Sequence, residues 1–263
     1  MGFSGYAAVA EVLLKVERLT KRFGGLLASD GIDLDIKLGE LHAIIGPNGA
    51  GKTTLIGQLT GEIKPDSGQV QLGGQVITAL PVYARSRLGL ARSFQITSLF
   101  SDFTALDNVA FAVQANAGHS FRFWGRARGE DALRGPALTA LESVGLGERA
   151  EMVVSDMSHG EHRLLELAIA LSTQPRMLLL DEPMAGLGPE EATRMVAMLA
   201  KLRNSMTILL IEHDMEAVFA LADRISVLVN GRVIASGSPA EIRADVAVRQ
   251  AYLGDNAPVI THV

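Results

Sequence analysis

The passage from residue 41 to residue 59 limits most strongly what this chain can fold into. An apolar run, Leu41–Ile45, leads straight into Gly46-Pro47-Asn48-Gly49-Ala50-Gly51-Lys52-Thr53-Thr54, and an apolar stretch with helical spacing follows over 55–59. A strand, a GxxxxGK[ST] turn and a helix in this order form a loop suited to phosphate groups. The glycines let backbone N–H groups turn inward, and the helix start adds its partial positive charge. Lys52 is expected to reach the outer phosphates and the Thr53 hydroxyl to take a Mg²⁺ ion.

Other residues extend that chemistry. The apolar run 177–180 ends in Asp181-Glu182-Pro183. Packing does not call for adjacent acids at the end of a buried strand. Beside a phosphate loop, Asp181 suits the Mg²⁺ shell and Glu182 suits polarising an attacking water. A second apolar run, 207–212, ends in His213-Asp214. On a strand next to that of Asp181, His213 is placed to sense the terminal phosphate. Gln95, in Ser93-Phe94-Gln95, offers an amide oxygen to the cation and an NH₂ to water. Ser158 and Gly160, in Met157-Ser158-His159-Gly160-Glu161, open a predicted helix with a hydroxyl and bare N–H groups, which serves equally as a plain helix cap or as an anion site. His159 and His162 have no third ligand placed by the sequence and do not read as a metal site.

Short β-branched and Leu-rich runs alternate with helical patterns, the signature of a largely parallel sheet covered by helices. Strands are expected at 12–16, 32–36, 41–45, 69–72, 177–180, 207–212 and 224–229. Asn230-Gly231 then forms a hairpin turn into 232–235. The early strands, with Gly73-Gly74 among their turns, read as antiparallel. From about 96 to 174 the patterns are helical, at 106–117, 131–144 and 161–172. Residues 118–135, which mix Gly and Arg with Phe121, Phe123 and Trp124, read as an irregular connection. The expected organisation is a leader over 1–10, one domain over 11–253 and a tail over 254–263. Within the domain, 11–95 and 175–253 form the core with the antiparallel part, and 96–174 form a helical subdomain.

Bulk properties remove several function classes. With 24 Lys+Arg against 29 Asp+Glu, the chain lacks the basic character of a protein whose main partner is nucleic acid. It has no cysteine, so thiol catalysis, disulfides and cysteine-bound zinc are absent. Residues 1–10 have neither the basic nor the apolar segment of a signal peptide. No apolar run reaches the ~18 residues of a spanning helix. A mean hydropathy of +0.24 is high, which fits either apolar surface facing partner chains or an Ala- and Leu-rich core.

Taken together, these motifs resemble the nucleotide-binding domain of ABC transporters over about 13–253. Residues 46–54 look like its Walker A loop, Gln95 like its Q-loop glutamine and 158–162 like its signature motif. Residues 178–182 look like Walker B, Ala185-Gly186-Leu187 like the D-loop and His213 like the switch histidine. Phe23 falls where the family stacks an aromatic ring on adenine. Two departures stand out: the usual LSGGQ signature reads Met157-Ser158-His159-Gly160-Glu161, and Gly188 replaces the common D-loop aspartate.

The resemblance implies an α/β fold of the ABC-type P-loop NTPase kind: a mixed core sheet with flanking helices, an N-terminal antiparallel β part and an inserted α-helical subdomain. It implies ATP and Mg²⁺ as cofactors, with Gly46, Pro47, Asn48, Gly49, Ala50, Gly51, Lys52, Thr53, Thr54, Phe23, Ser158 and Gly160 at the nucleotide. Thr53, Gln95 and Asp181 fall at the metal, and Glu182, His213, Lys52 and Gln95 in hydrolysis. The implied partners are a second ATPase subunit, two transmembrane permease subunits and, indirectly, a periplasmic binding protein, on the cytoplasmic face of the inner membrane. Leu99, Phe100 and Phe103 are either permease contacts or ordinary core. The signature variant, Met184-Ala185-Gly186-Leu187, Ile211-Glu212-His213-Asp214-Met215 and Ala251-Tyr252-Leu253-Gly254 look most like ATPase subunits of branched-chain amino acid uptake, with urea uptake and lipopolysaccharide export as close alternatives. A soluble ABC ATPase acting on DNA or ribosomes would usually carry long heptad insertions or a second cassette, and neither is present.

Overall fold

The computed structural model describes residues 11–93, 99–116 and 126–253. Among these residues the strands form two sheets. The first, in order β2-β1-β4-β5, is antiparallel and consists of Val12–Phe23 (β1), Leu26–Lys37 (β2), Ser67–Leu72 (β4) and Gln75–Val76 (β5). The second has the order β10-β9-β3-β8-β7-β6. In it Leu41–Ile45 (β3), Leu90–Ser93 (β6), Met177–Asp181 (β7), Thr207–Ile211 (β8) and Arg224–Val229 (β9) run parallel. Arg232–Gly237 (β10) returns antiparallel on β9.

Every residue of β3, β7 and β8 is buried, as expected of parallel strands covered on both faces, and their period-2 alternation divides them between two cores. Ile44, Met177, Leu179, Leu209 and Ile211 face Leu55, Ile56 and Leu59 of Lys52–Thr60 (α1) and the inner face of the antiparallel sheet. Leu41, Ala43, Ile45, Leu178, Leu180, Ile208 and Leu210 face the opposite core. That core also takes residues from Ala105–Asn116 (α3), Arg126–Ser143 (α4), His159–Ser172 (α5), Pro189–Leu202 (α6) and Met215–Leu221 (α7). Val82–Arg87 (α2) precedes β6, and Pro239–Ala244 (α8) follows β10.

The structure departs from the sequence-based expectations in several places. The first two strands extend well beyond 12–16 and 32–36, and their pairing contains register shifts, with Arg18 at a positive φ of 46°. Those irregularities break the alternation by which a strand is read. The edge strand β6 was not expected: it has four residues, two of them Arg92 and Ser93. The chain is helical from Arg126, not irregular up to 135. Pro136 lies inside α4, while Ala137, Ala140 and Leu141 anchor that helix in the core. Gly and Pro depress local helix propensity, and tertiary packing overrides them. Between β6 and β7, the described residues contain no strand, only an isolated bridge from Thr104 to Val153. The hairpin at Asn230-Gly231 forms as read, with φ of 48° and 77°. Gln95, Phe121, Phe123, Trp124 and the segments 1–10 and 254–263 lie outside the described residues.

Candidate functional site

Three buried strands, β3, β8 and β7, lie side by side, so the residues just past their C-terminal ends meet at one edge of the sheet. This edge is where open α/β sheets place ligands. The turn after β3 is shaped by close backbone packing. A Cβ on Gly46 would lie 2.1 Å from the Leu228 carbonyl oxygen, and one on Gly51 would lie 2.3 Å from that of Ala28. Gly49 and Gly51 also have φ of 80° and 105°, a region that side chains disfavour. Pro47, Asn48 and Gly49 form the exposed crest, while Ala50 is buried and its carbonyl accepts from the Gly231 N–H at 2.9 Å. The helix α1 starts at Lys52 with no side-chain cap and no acid in its first turn, which leaves its first N–H groups open to an anion.

The Lys52 ammonium is buried and donates to the carbonyls of Gly46 at 2.7 Å and Pro47 at 3.2 Å. Burial pushes its pKa down, against the opposing pull of Glu182 and Asp181. Thr53 is exposed at the start of α1 and Thr54 is partly buried. Asp181 ends β7 as a buried carboxylate, raised by burial and by Glu182 and held down by Arg92, whose Nη2 lies 2.9 Å from Oδ2. The next residue, Glu182, has a φ of 50°, with its N–H donating to the Ile211 carbonyl at 2.9 Å. A non-glycine residue held there is strained, and such strain collects at functional sites. The Glu182 carboxylate faces His213, with Oε1 4.0 Å from Nδ1.

Two residues of this edge escaped the sequence reading. Glu212 is buried, accepts from the N–H groups of Met184 at 2.9 Å and His213 at 3.1 Å, and so ties the turn after β7 to the turn after β8. Burial raises its pKa even though those N–H groups favour the anion. An acid ending an apolar run, as at Asp181, was the signal available for it. Arg92 had no such signal, because the strand that carries it was itself not legible.

The remaining expected site residues lie elsewhere. Phe23 is exposed at the end of β1, with the Lys21 ammonium 5.4 Å from its ring centroid, on the hairpin whose Ala28 abuts Gly51. Ser158 caps α5: its Oγ accepts from the Glu161 N–H at 3.2 Å, and its own N–H donates to the Glu161 carboxylate at 2.8 Å. A Cβ on Gly160 would lie 2.4 Å from Glu191 Oε1, and one on Gly186 would lie 3.4 Å from the His159 ring. Thus 158–160 packs against the segment 186–191. Among the described residues, no hydrogen bond or ion pair links it to the 46–54 loop. Phe100 and Phe103 are exposed and form an edge-to-face trio with Phe111, with centroids 5.4 to 5.8 Å apart. That pair is surface and not core, whereas Leu99 is partly buried against the core.

A glycine-walled phosphate loop after β3, adjacent acids at the end of β7 two places along the sheet and an inserted helical segment define an ATP-binding cassette ATPase. The chain belongs to the ABC transporter family, whose profile, described as "ABC transporter", matches residues 29–185. A second profile, "Branched-chain amino acid ATP-binding cassette transporter", matches residues 232–258. The chain is 42% identical over 259 residues to LivG of Escherichia coli (strain K12), a high-affinity branched-chain amino acid transport ATP-binding protein, covering 94% of this chain and 100% of LivG. It is 40% identical over 250 residues to BraF of Pseudomonas aeruginosa, described in the same words, covering 92% and 98%. In structure it resembles the ADP conformation of MJ1267, an ATP-binding cassette of an ABC transporter, with a TM-score of 0.81, 29% identity and coverage of 93% and 99%.

Proposed function

We propose that this chain is the ATP-hydrolysing subunit of a branched-chain amino acid importer, acting on separate permease subunits. The observation that carries the catalytic part is the Asp181-Glu182 pair. One acid is buried beside Arg92, and the other is turned into a left-handed backbone facing His213, at the sheet edge shared with the 46–54 loop. The LivG and BraF likenesses, which span nearly whole chains, support the amino acid substrate, as does the match at 232–258.

In this reading the open N–H groups of residues 46–54 and the Lys52 ammonium bind the phosphates. The Thr53 hydroxyl and Asp181 carboxylate are hard oxygen donors of the kind Mg²⁺ shares with phosphate oxygens, and Gln95 joins them. When bound, Mg²⁺ would neutralise charge developing on the phosphates. Glu182 orients the attacking water and takes its proton, and His213 holds the terminal phosphate. Phe23 supplies a π-face to adenine.

Ser158 and Gly160 share no hydrogen bond or ion pair with this loop among the described residues, and they complete the nucleotide site of a second ATPase subunit, identical or related. The exposed Phe100, Phe103 and Phe111 cluster is the contact for the permeases, through which the protein acts at the cytoplasmic face of the inner membrane. No helix among the described residues is long and apolar enough to cross a membrane. The test is reconstitution with permease subunits and a periplasmic binding protein of a branched-chain amino acid uptake system from the same organism. ATPase activity stimulated by leucine, isoleucine or valine supports the reading, and stimulation by urea alone refutes the substrate.

A further inference from the structure

Arg92 has a use that the phosphate loop and acids do not account for. Its guanidinium forks between two carboxylates, with Nη1 2.6 Å from Glu62 Oε2 and Nη2 2.9 Å from Asp181 Oδ2. The two ends differ in surroundings: Asp181 is buried at the nucleotide edge, whereas Glu62 is partly exposed, just past α1. Glu62 and Arg92 line one cleft, with Val82 and Ser86 from α2 and Glu166 and Ile169 from α5. Through Arg92 an ionic connection therefore runs from Glu62 in a solvent-reached cleft to the acid that ends β7.

We propose that Arg92 is a positioning residue that competes with the divalent cation for Asp181, and that Glu62 sets the strength of that competition. The proposal rests on the assignment of Asp181 to the Mg²⁺ shell. A guanidinium bonded to a carboxylate occupies one of its oxygens, and it repels any second cation brought to the other. The fork is shared, so the hold on Asp181 depends on how much of the Arg92 charge Glu62 neutralises. Little water screens the inner pair, since Arg92 and Asp181 are both largely buried, whereas the outer pair is open to solvent. Substitutions at the two ends of the chain therefore act with opposite signs.

The experiment measures ATP binding across a Mg²⁺ series, without turnover, in the full chain. Arg92→Gln should lower the half-saturating Mg²⁺ concentration by about tenfold, the scale of removing one close charge from a buried acid. Glu62→Gln frees the guanidinium for Asp181 and should raise that concentration, by about threefold because the outer pair is exposed. Arg92→Lys keeps the charge without the fork and should fall between wild type and Arg92→Gln. A purely structural role would weaken ATP binding at every Mg²⁺ concentration without opposite shifts. Should Arg92→Gln fail to fold, the upward shift in the partly exposed Glu62→Gln still decides, and no shift there overturns the proposal. Shifts of the same sign in both variants also overturn it. Asp181→Asn tells the two failures apart. If it leaves Mg²⁺ dependence intact, the assignment of Asp181 falls and takes this proposal with it; if it abolishes that dependence while the other variants leave it unchanged, only the role of Arg92 falls.

Discussion

Replacing Glu182 separates strain from chemistry, because the two have opposite consequences at this residue. Its φ of 50° places a side chain in the left-handed region, which costs roughly 1–2 kcal/mol for an L-residue. Glycine removes that penalty and adds back roughly 0.5–1 kcal/mol of unfolded-chain entropy. Glutamine keeps the strained backbone and loses only the charge. Both variants lose the attraction to Lys52 and the carboxylate that faces His213 at 4.0 Å, and the partly exposed side chain packs little, so their difference is dominated by the backbone. Glu182→Gly should exceed Glu182→Gln in stability by about 0.5–1 kcal/mol, or about 1–4 °C in melting temperature for a domain of this size. Both should lose turnover by roughly 10²–10⁴-fold, as expected for removal of a general base, while still binding ATP. Thermal melting followed by circular dichroism reads the first quantity, and single-turnover hydrolysis reads the second. A glycine variant less stable than the glutamine variant would refute the strain argument, and normal turnover in either would refute the catalytic one.

Other substitutions probe the walls of the site and the base of the sheet. Gly46→Ala places a Cβ 2.1 Å from the Leu228 carbonyl, which belongs to β9 and cannot yield, so nucleotide binding should be lost; wild-type affinity retained in a fluorescence titration would contradict the packing. Phe23→Ala should weaken ATP binding by roughly 1–3 kcal/mol, the scale of base stacking, while Phe23→Tyr keeps it; equal loss in both would remove Phe23 from the adenine. At the opposite end of β3, burial raises Glu40, but hydrogen bonds from His42, the Lys37 N–H and Arg224 outweigh it and hold its pKa at about 2. A folded pKa below the unfolded 4.5 means that the unfolded chain takes up protons first as pH falls through this window. The Glu40 contribution to stability is therefore full above about 4.5 and declines by roughly 3 kcal/mol toward 2. Buried His42, whose pKa is lowered chiefly by burial, adds to the decline from 6.5 downward. Urea unfolding at stepped pH should show this slope, and Glu40→Gln should flatten its lower part.

The residues 46–54, the acids ending 177–181 and the Asn230-Gly231 turn were legible because each rests on local chemistry: a glycine-rich turn between a strand and a helix, charges at the end of an apolar run, and two residues that tolerate positive φ. The alternation of apolar strands and helices likewise carried the α/β class, since periodicity is a property of neighbours in sequence. What the sequence could not decide was which strands lie side by side. Only the order β10-β9-β3-β8-β7-β6 brings Asp181, Glu182 and His213 to the edge that the phosphate loop follows, and only the pairing of β6 with β7 aligns Arg92 so that it reaches Asp181. The left-handed backbone of Glu182, the burial of Glu212 between two turns and the packing of Gly160 on Glu191 are long-range as well. They arise from contacts between residues far apart in the chain, formed where separate buried strands end together, and no local pattern encodes where those ends meet.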